Sequence, residues 1–331
     1  MRKIIKAIIP RSLINYVRTK SVEKETKTLA EMDFKRFNKY SFGAKNNIDS
    51  FEQYEARIIK AYHSIEKGLS YEKIRLGFGQ NVLKELIYLM IEYKKKGYSI
   101  ETEFYSTALD NLNKYIKIHQ ENNYDVTDLK KRVENLGGRP NNFGGVTQFN
   151  KDEVLQKTKS DFLEFSMSRH SVRDFSTEPL DIEIIKKAIN LAQNTPSACN
   201  RQAWKTRIVV DDRLKKVIEN NQNGNRGFGD SIDKYILVTT DSQYFAKPRE
   251  RNQPYIDGGM YSMNLLYSLQ YYGIATIPLS ASLTIEQEAN IRSALCIRDS
   301  ENFILIVGVG NYADHFKVPK STRKTPQIEV L

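Results

Sequence analysis

The first 150 residues repeat apolar and polar positions with the period of an α-helix. The clearest stretch is QNVLKELIYLMIEYKKKG, which ends in lysines and a glycine, both typical of a helix C-terminus. Its predicted buried stripe consists of Val82, Leu83, Leu86, Ile87, Met90 and Ile91. Stretches that begin FEQYEA, ETEFYS and VTDLKK follow the same pattern. We therefore predict an all-α N-terminal domain over residues 1–150.

The hydrophobic pattern changes after residue 150. The preceding stretch RPNNFGGVTQFN is rich in Gly, Pro and Asn and is typical of a linker. Beyond it, EPLDIEIIKKAINLAQ predicts an amphipathic helix with Asp181 as its N-cap. The stretches KTRIVVDD, DKYILVTTD and ENFILIVGVGN are typical of strands, and a long apolar helix that stops at Gly273 precedes a strand-like ATIPLS. This mixture predicts a second domain of α+β class over residues 160–331.

The composition is that of a globular protein, with 331 residues of which 40% are hydrophobic and 27% are charged. No apolar run reaches the roughly 18 residues that a membrane-spanning helix needs. Two cysteines without CxxC spacing indicate a reducing, cytoplasmic setting. The four histidines are scattered, so we expect no metal site.

The net charge of +11 is concentrated near the N-terminus, since residues 1–40 hold 11 Lys and Arg against 4 Asp and Glu. Within residues 1–20 the apolar residues recur at helical spacing opposite a basic face. Such an arm can lie peripherally on an anionic membrane surface, here the inner face, or it can dock on its own domain. Nucleic acid is not expected as a partner, because the basic residues lack interleaved aromatic residues.

Three polar stretches are candidates for chemistry. Residues 168–175, SRHSVRDF, place two arginines, a histidine and two serines within eight positions. Arginine forks and hydroxyls are suited to an anion, although a solvated terminus with ion pairs to Asp174 or Glu178 is the alternative. The loop TPSACNRQAW and the tail PKSTR offer further donors. Each stretch alone is a weak signal.

Their order along the chain is more specific. SRHSVRDFSTEPL, TPSACNRQAW, YGIATIPLS and PKSTR follow one another, and this order resembles the FMN-dependent nitroreductase family over residues 160–331. The resemblance implies a nitroreductase-like α+β fold with a central, mostly antiparallel sheet flanked by helices. It also implies a homodimer that binds FMN at the subunit interface.

The resemblance assigns the FMN phosphate to the first and last stretches. Arg169 and Ser171 would hold the phosphate, and His170 beside them would contact the flavin. Lys320 and Arg323 in the tail match the remaining phosphate cations. A phosphate of about two negative charges favours arginine and hydroxyl donors of this kind.

The flavin ring is assigned to the other matches. Arg173 matches a cation at the pyrimidine edge, where a positive charge stabilises the reduced ring. Pro196, Ser197 and Asn200 resemble the loop that bonds the carbonyl and ring-nitrogen edge. The turn that directs a backbone amide at flavin N5 is matched by Pro278, Leu279, Ser280 and Ala281. Ser280 and Ala281 are the candidates for that amide.

The resemblance implies an FMN-dependent oxidoreductase. NADH or NADPH would reduce the flavin, and an oxidised acceptor, nitro-like, quinone-like or an unknown small molecule, would then take the hydride in a ping-pong reaction. No side chain is assigned as a catalytic acid or base. The alternatives are an FMN-dependent dehydrogenase of an amino-acid or peptide-like substrate, and a non-catalytic flavin-fold module in a polysaccharide-biosynthesis complex.

The stretch HSIEKGLS, His63 to Ser70, has two interpretations. The first is a helix C-terminus with Gly68 as cap and with Glu66 and Lys67 on the solvent side. The second follows from its resemblance to a stretch in longer nitroreductase-like proteins of polysaccharide-biosynthesis type. There the helical domain would cover the flavin and supply His63 or Lys67 to a substrate pocket.

Overall fold

The N-terminal part of the protein is helical, as predicted. The computed structural model describes residues 10–40, 50–198, 201–245 and 248–331. The helices before residue 140 are α1 (Arg11–Tyr40), α2 (Phe51–Leu69), α3 (Gln80–Lys95), α4 (Glu103–Glu121) and α5 (Thr127–Glu134). Of the predicted basic arm, residues 1–9 lie outside the described residues, and the apolar residues Leu13, Ile14 and Val17 on α1 are exposed. Within the described ranges, no helix has the length and apolar character that crossing a membrane requires.

Helices α2 to α5 enclose a core of their own. Leu86, Ile87 and Met90 of α3 are fully buried, as the periodicity predicts. The prediction for Ile91 is wrong, since this side chain is exposed while Tyr93 is buried. The ring of Tyr93 packs edge-on against Phe104 of α4, with the centroids 5.5 Å apart. The buried face of α3 is therefore rotated, relative to the predicted stripe, toward Tyr93, whose ring packs between α3 and α4.

The C-terminal part has the predicted α+β architecture. Its elements are β1 (Val146–Asn150), α6 (Lys151–Lys157), α7 (Phe162–Ser168), α8 (Ile182–Ala192), β2 (Trp204–Val209), α9 (Asp212–Asn221), β3 (Lys234–Asp241), α10 (Gln253–Tyr271), β4 (Ala275–Ser280), α11 (Ile285–Ala294), β5 (Glu301–Gly310) and β6 (His315–Pro319). Four strands form a sheet in the order β2-β3-β5-β4, and every neighbouring pair is antiparallel. The α8 N-cap is also confirmed, because Asp181 accepts the N–H of Glu183 at 2.9 Å.

Both faces of this sheet are covered by helices. Ile236 and Val238 of β3 belong to a core cluster shared with α8 and α10. Tyr235 and Leu237, the intervening residues, belong to a second cluster shared with α9 and α11. Successive side chains of a strand point to opposite faces, so a continuous apolar run fits a sheet buried on both sides. The expected central antiparallel sheet flanked by helices is confirmed.

The segment predicted as a linker is partly a strand. β1 pairs antiparallel with β6 near the end of the chain, with Phe149 opposite Phe316. The two phenylalanine rings are stacked with centroids 6.0 Å apart. The linker prediction is wrong for Val146–Asn150 because the partner strand is about 165 residues away, where local composition gives no signal.

The donor segment, residues 168–175, runs in extended conformation along the edge of the sheet. Val172 donates its N–H to the carbonyl of Thr276 on β4 at 2.9 Å, and Phe175 forms a bridge to Tyr312. Since β4 is an edge strand, it tolerates Pro278, which has no N–H to donate. The donor segment is thus fixed to the sheet beside the end of β4 rather than forming a solvated helix start.

Candidate functional site

In the extended donor segment, successive side chains point in opposite directions. Val172 is fully buried against the sheet, and its main-chain bond to Thr276 fixes the register. Arg169, Ser171 and Arg173 occupy alternate positions, which in extended chain lie on one side. The bond of Val172 to β4 thus holds the donor segment between Arg169 on one side along the chain and Arg173 on the other.

Arg169 is a partly buried cation that forms no ion pair with a described residue. Its Nη1 atom is buried and has no hydrogen-bond partner among the described residues. Burial lowers the pKa of Arg169, and the nearby charge of Arg323 lowers it further. A buried charge that lacks a partner is costly, and an anion bound here would remove that cost. The site is therefore suited to an anionic group.

His170 lies beside this cation as a neutral imidazole. Burial, followed by the charges of Arg169, Arg323 and Lys157, lowers the pKa of His170 to about 4. Its ring packs against that of Phe149, with the centroids 4.6 Å apart. At neutral pH, His170 can therefore donate one N–H but adds no charge.

The C-terminal tail, residues 319–325, is held against the loop that precedes β1. Lys320 donates its backbone N–H to Gly145 and its Nζ to the carbonyl of Asn142, both at 2.9 Å. Thr322 donates its hydroxyl to Phe143 at 2.7 Å. Lys320 and His170 line the same cavity of about 440 Å³. Both predicted tail cations thus lie near the donor segment, since Arg323 influences Arg169 and His170 electrostatically.

Arg173 lies at the other end of the donor segment. Its Nη1 donates to the carbonyl of Ser171 at 3.2 Å, and its guanidinium lies 6.0 Å from the ring centroid of Phe228. Burial lowers the pKa of Arg173. The side chain lines a second, larger cavity of about 980 Å³, which we call the large cavity.

The predicted turn is in fact the end of β4, since Ser280 is the last residue of that strand, and Ala281 follows it. This end of β4 is linked to the same region. Gln222 donates its Nε2 to the carbonyl of Ser280 at 2.8 Å, and so holds residues 222–228 beside the end of β4. Phe228, the ring near Arg173, lies in this loop. Gln222 could not be selected from the sequence, because a lone glutamine after a helix is no local signal of a tertiary contact.

The polar loop, residues 195–202, is attached to α10 rather than to the end of β4. Ser197 accepts the N–H of Gln202 at 3.0 Å, and the N–H of Ala198 donates to the Asp257 carboxylate of α10 at 3.2 Å. Pro196 is exposed, and Asn200 lies outside the described residues.

Helix α10 separates the polar loop from the donor segment. Gln270, thirteen residues beyond Asp257 on α10, donates to the hydroxyl of Ser168 at 3.0 Å. At 1.5 Å per residue, the two attachment points are about 20 Å apart along the helix. Ala198 of the polar loop and Ser168 beside Arg169 are therefore anchored near opposite ends of α10, while Thr195 at the start of the loop accepts a hydrogen bond from Asn264 between them at 2.8 Å.

The stretch HSIEKGLS differs from its first interpretation. Helix α2 continues to Leu69, and Ser70 is its C-cap, so Gly68 is inside the last turn, where the ring of Phe78 leaves no room for a Cβ atom. Glu66 is not on the solvent side but fully buried. Its carboxylate accepts the N–H of Gly145 at 3.2 Å and lies 3.2 Å from the His63 ring nitrogen.

Lys67, by contrast, lines the large cavity together with Arg173. Tyr71, which follows α2, donates its hydroxyl to the carbonyl of Arg226 at 3.0 Å. This bond ties the helical region to the loop that carries Phe228. The end of α2 is therefore part of the same site as the donor segment.

Comparison with known proteins identifies this part of the chain. The model of the Nitroreductase family matches residues 167–311, which include the donor segment, the polar loop and the sheet. Residues 167–311 form a nitroreductase-family domain. The nitroreductase-like α+β fold is thus confirmed for the C-terminal part, with helices α2–α5 as an additional N-terminal region.

Among curated proteins, the chain is similar to two iodotyrosine deiodinases. It is 26% identical over 212 residues to that of Nematostella vectensis, a match that covers 54% of this chain and 77% of the relative. It is 25% identical over 237 residues to that of Danio rerio, covering 63% and 77%.

Two solved structures are also similar to the chain. A putative nitroreductase in complex with FMN from Desulfovibrio desulfuricans is 16% identical, with a TM-score of 0.43, and the match covers 51% of this chain and 93% of that one. A nitroreductase family protein from Clostridium novyi NT is 22% identical, with a TM-score of 0.42 and coverage of 47% and 87%.

Proposed function

We propose that the nitroreductase-family domain binds FMN and that the protein is an oxidoreductase which uses NAD(P)H to reduce an oxidised small molecule. The observation that carries this proposal is the buried, unpartnered Nη1 of Arg169, with the charge of Arg323 beside it. Among the described residues no acid contributes to the pKa of Arg169, and two cations held together in this way are suited to a phosphate.

The residues at the site fit the separate parts of FMN. Arg169, Ser171 and the tail cations Lys320 and Arg323 would hold the phosphate, and the neutral His170 would donate one hydrogen bond. Arg173 would lie at the pyrimidine edge of the ring, where a cation favours the reduced form. When bound, FMN would supply the two-electron chemistry that these side chains lack.

The test is an absorbance spectrum of the purified protein, followed by anaerobic addition of NADH or NADPH. We expect flavin bands that bleach on addition of one of the two. A colourless protein that does not take up added FMN would favour the non-catalytic module and overturn the proposal. Bleaching by amino acids or peptides, but not by either nicotinamide, would favour the dehydrogenase.

Reductive dehalogenation is the second candidate, because the two relatives described above are named iodotyrosine deiodinase. The reduced protein would be offered 3-iodotyrosine, and released iodide would be measured beside the reduction of a nitroarene and a quinone. Iodide release that is faster than either of the other reactions would favour this candidate.

We further propose a homodimer in which α10 lies at the interface. Ile256, Met260 and Met263 are spaced as one helix face and are 52%, 44% and 39% exposed. On α7, Phe162 and Met167 are each 71% exposed. Exposed apolar faces of this kind mark interfaces. A second copy would cover them and could bring its polar loop to the donor segment.

A further inference from the structure

The large cavity lies between the helical region and the nitroreductase-family domain. One wall is the end of α2 with the loop after it, including Lys67 and Tyr71, and the other is Arg173 with residues 223–231. Its volume of about 980 Å³ is in the range of small-molecule sites. Neither wall alone encloses it, so the added helices create this cavity.

Two half-buried cations, Lys67 and Arg173, line the cavity. Burial is the main cause that lowers the pKa of Lys67, and the charge of Arg173 lowers it further. In the described part of the chain, no carboxylate contributes to the pKa of either Lys67 or Arg173. The ammonium group of Lys67 thus lies in a cationic environment without a counterion.

Acidic side chains also line the cavity but do not neutralise these cations. Asp230 forms an ion pair with Lys216 at 3.4 Å. Burial and the charge of Glu72 raise the pKa of Asp174, which shows that these two acids lie close to each other. Five cationic residues line the cavity against these three acids, so its net charge is positive.

Lys67 is held in place by its neighbours in α2. Glu66 is anchored by its buried bonds to Gly145 and Asn111, and Ser70 caps the helix by donating its N–H to Glu66 and Lys67. Tyr71 and Phe228 provide aromatic surface on the two walls of the cavity. His63 is engaged with Glu66 and is not among the lining residues, so only one of the two candidates from this stretch reaches the cavity.

We propose that the large cavity binds the oxidised acceptor and that Lys67 recognises an anionic group on it, so that the substrate class is an aromatic carboxylate. This proposal rests on the proposed function. Arg173 is assigned to the flavin ring, and therefore Lys67 is the buried cation that remains for the substrate. A charge-assisted bond to a carboxylate would supply the counterion that Lys67 lacks.

The test uses two acceptors of similar size, 4-nitrobenzoate and the neutral 4-nitrobenzyl alcohol. Each nitro group takes two electrons and two protons to give a nitroso group and water, and NAD(P)H supplies the electrons and one proton while solvent supplies the other. The holoenzyme is compared with Lys67→Met, and the control is Lys117→Met, an exposed lysine on α4 that does not line the cavity.

We expect Lys67→Met to lower about tenfold the ratio of kcat/KM for 4-nitrobenzoate to that for 4-nitrobenzyl alcohol. Binding of 4-nitrobenzoate, measured by calorimetry, should weaken by a similar factor, and Lys117→Met should leave both values unchanged. An equal loss for both acceptors, or a changed flavin reduction potential, would assign Lys67 to the flavin and overturn the proposal. Calorimetric titration of the flavin-free protein with FMN shows whether FMN binds. A failure of the proposed function is thereby distinguished from a failure of the Lys67 assignment.

Discussion

The guanidinium group of Arg169 lies where a positive charge is unfavourable unless an anion pairs with it. Its Nη1 has no partner among the described residues, and the charge of Arg323 adds repulsion. An arginine that served only the fold would be expected to have a carboxylate beside it. Removing Arg169 is therefore expected to stabilise the flavin-free protein and to weaken FMN binding.

We predict that Arg169→Met weakens FMN binding about 100-fold, because loss of one partner of a buried charge pair costs roughly 3 kcal/mol. The flavin-free variant should be more stable than the flavin-free parent by about 1 kcal/mol, since an unpaired buried charge has been removed. Flavin fluorescence titration and urea unfolding measure the two effects. The control is Arg213→Met, whose side chain is 92% exposed. A variant that purifies with full flavin would show that Arg169 does not hold the phosphate.

At the scale of elements, the carboxylate of Glu66 links α2 to the tail. It accepts the N–H of Gly145, and the carbonyl of Gly145 accepts the N–H of Lys320 at 2.9 Å. Asn111 of α4 donates to the same carboxylate at 3.1 Å. A helix outside the nitroreductase-family domain thus helps to position a cation assigned to the phosphate.

We predict that Glu66→Ala lowers the free energy of unfolding by about 1 kcal/mol, because Gly145 and Asn111 each lose one buried hydrogen bond but keep a second one. FMN affinity should fall with it, since the loop that holds Lys320 loses one of the buried hydrogen bonds that fix it. Glu66→Gln, which keeps one acceptor oxygen, should restore most of the FMN affinity. Glu121→Ala, at an exposed position, is the control. If stability fell while FMN affinity stayed constant, Glu66 would have a structural role only.

The sequence allowed prediction of those elements that are determined by residues close together in the chain. The β-branched strands β2, β3 and β5 and the Asp181 cap of α8 are confirmed because a few consecutive residues determine them. β1 was missed, since its partner β6 lies near the other end of the chain. The burial of Glu66 was missed for a similar reason, because the donors that compensate its charge come from residues 111 and 145.

The same distinction applies to the candidate site. The order of the polar stretches led to Arg169, Arg173 and the tail as candidates, because each lies in a recognisable motif, and the structure brings Arg323 of the tail near Arg169. The large cavity could not be predicted from the chain, since it needs Lys67 and Arg173, which are about 100 residues apart in sequence. The role of Gln222 in holding residues 222–228 against Ser280 also depends on tertiary contact.

At the scale of the whole molecule, two segments assigned to FMN are attached to α10 at points far apart within one chain. The polar loop contacts Asp257, whereas Ser168 of the donor segment contacts Gln270, about 20 Å farther along the helix. Both segments were assigned to one FMN molecule. A homodimer that packs through the exposed face of α10 resolves this separation if each FMN lies between the polar loop of one protomer and the donor segment of its partner.

We predict that the double variant Met260→Lys, Met263→Glu is monomeric and loses most of its FMN, because charge on the apolar face opposes association and leaves each site without a polar loop. Both side chains are exposed, so the fold of the monomer should persist. Light scattering coupled to size exclusion gives the oligomeric state, and the flavin absorbance gives the occupancy. Tyr88→Lys, which changes a side chain 59% exposed on α3, should remain dimeric and flavin-bound. A monomeric double variant with full flavin would place the complete site within one chain, and a dimeric one would place the interface on another surface.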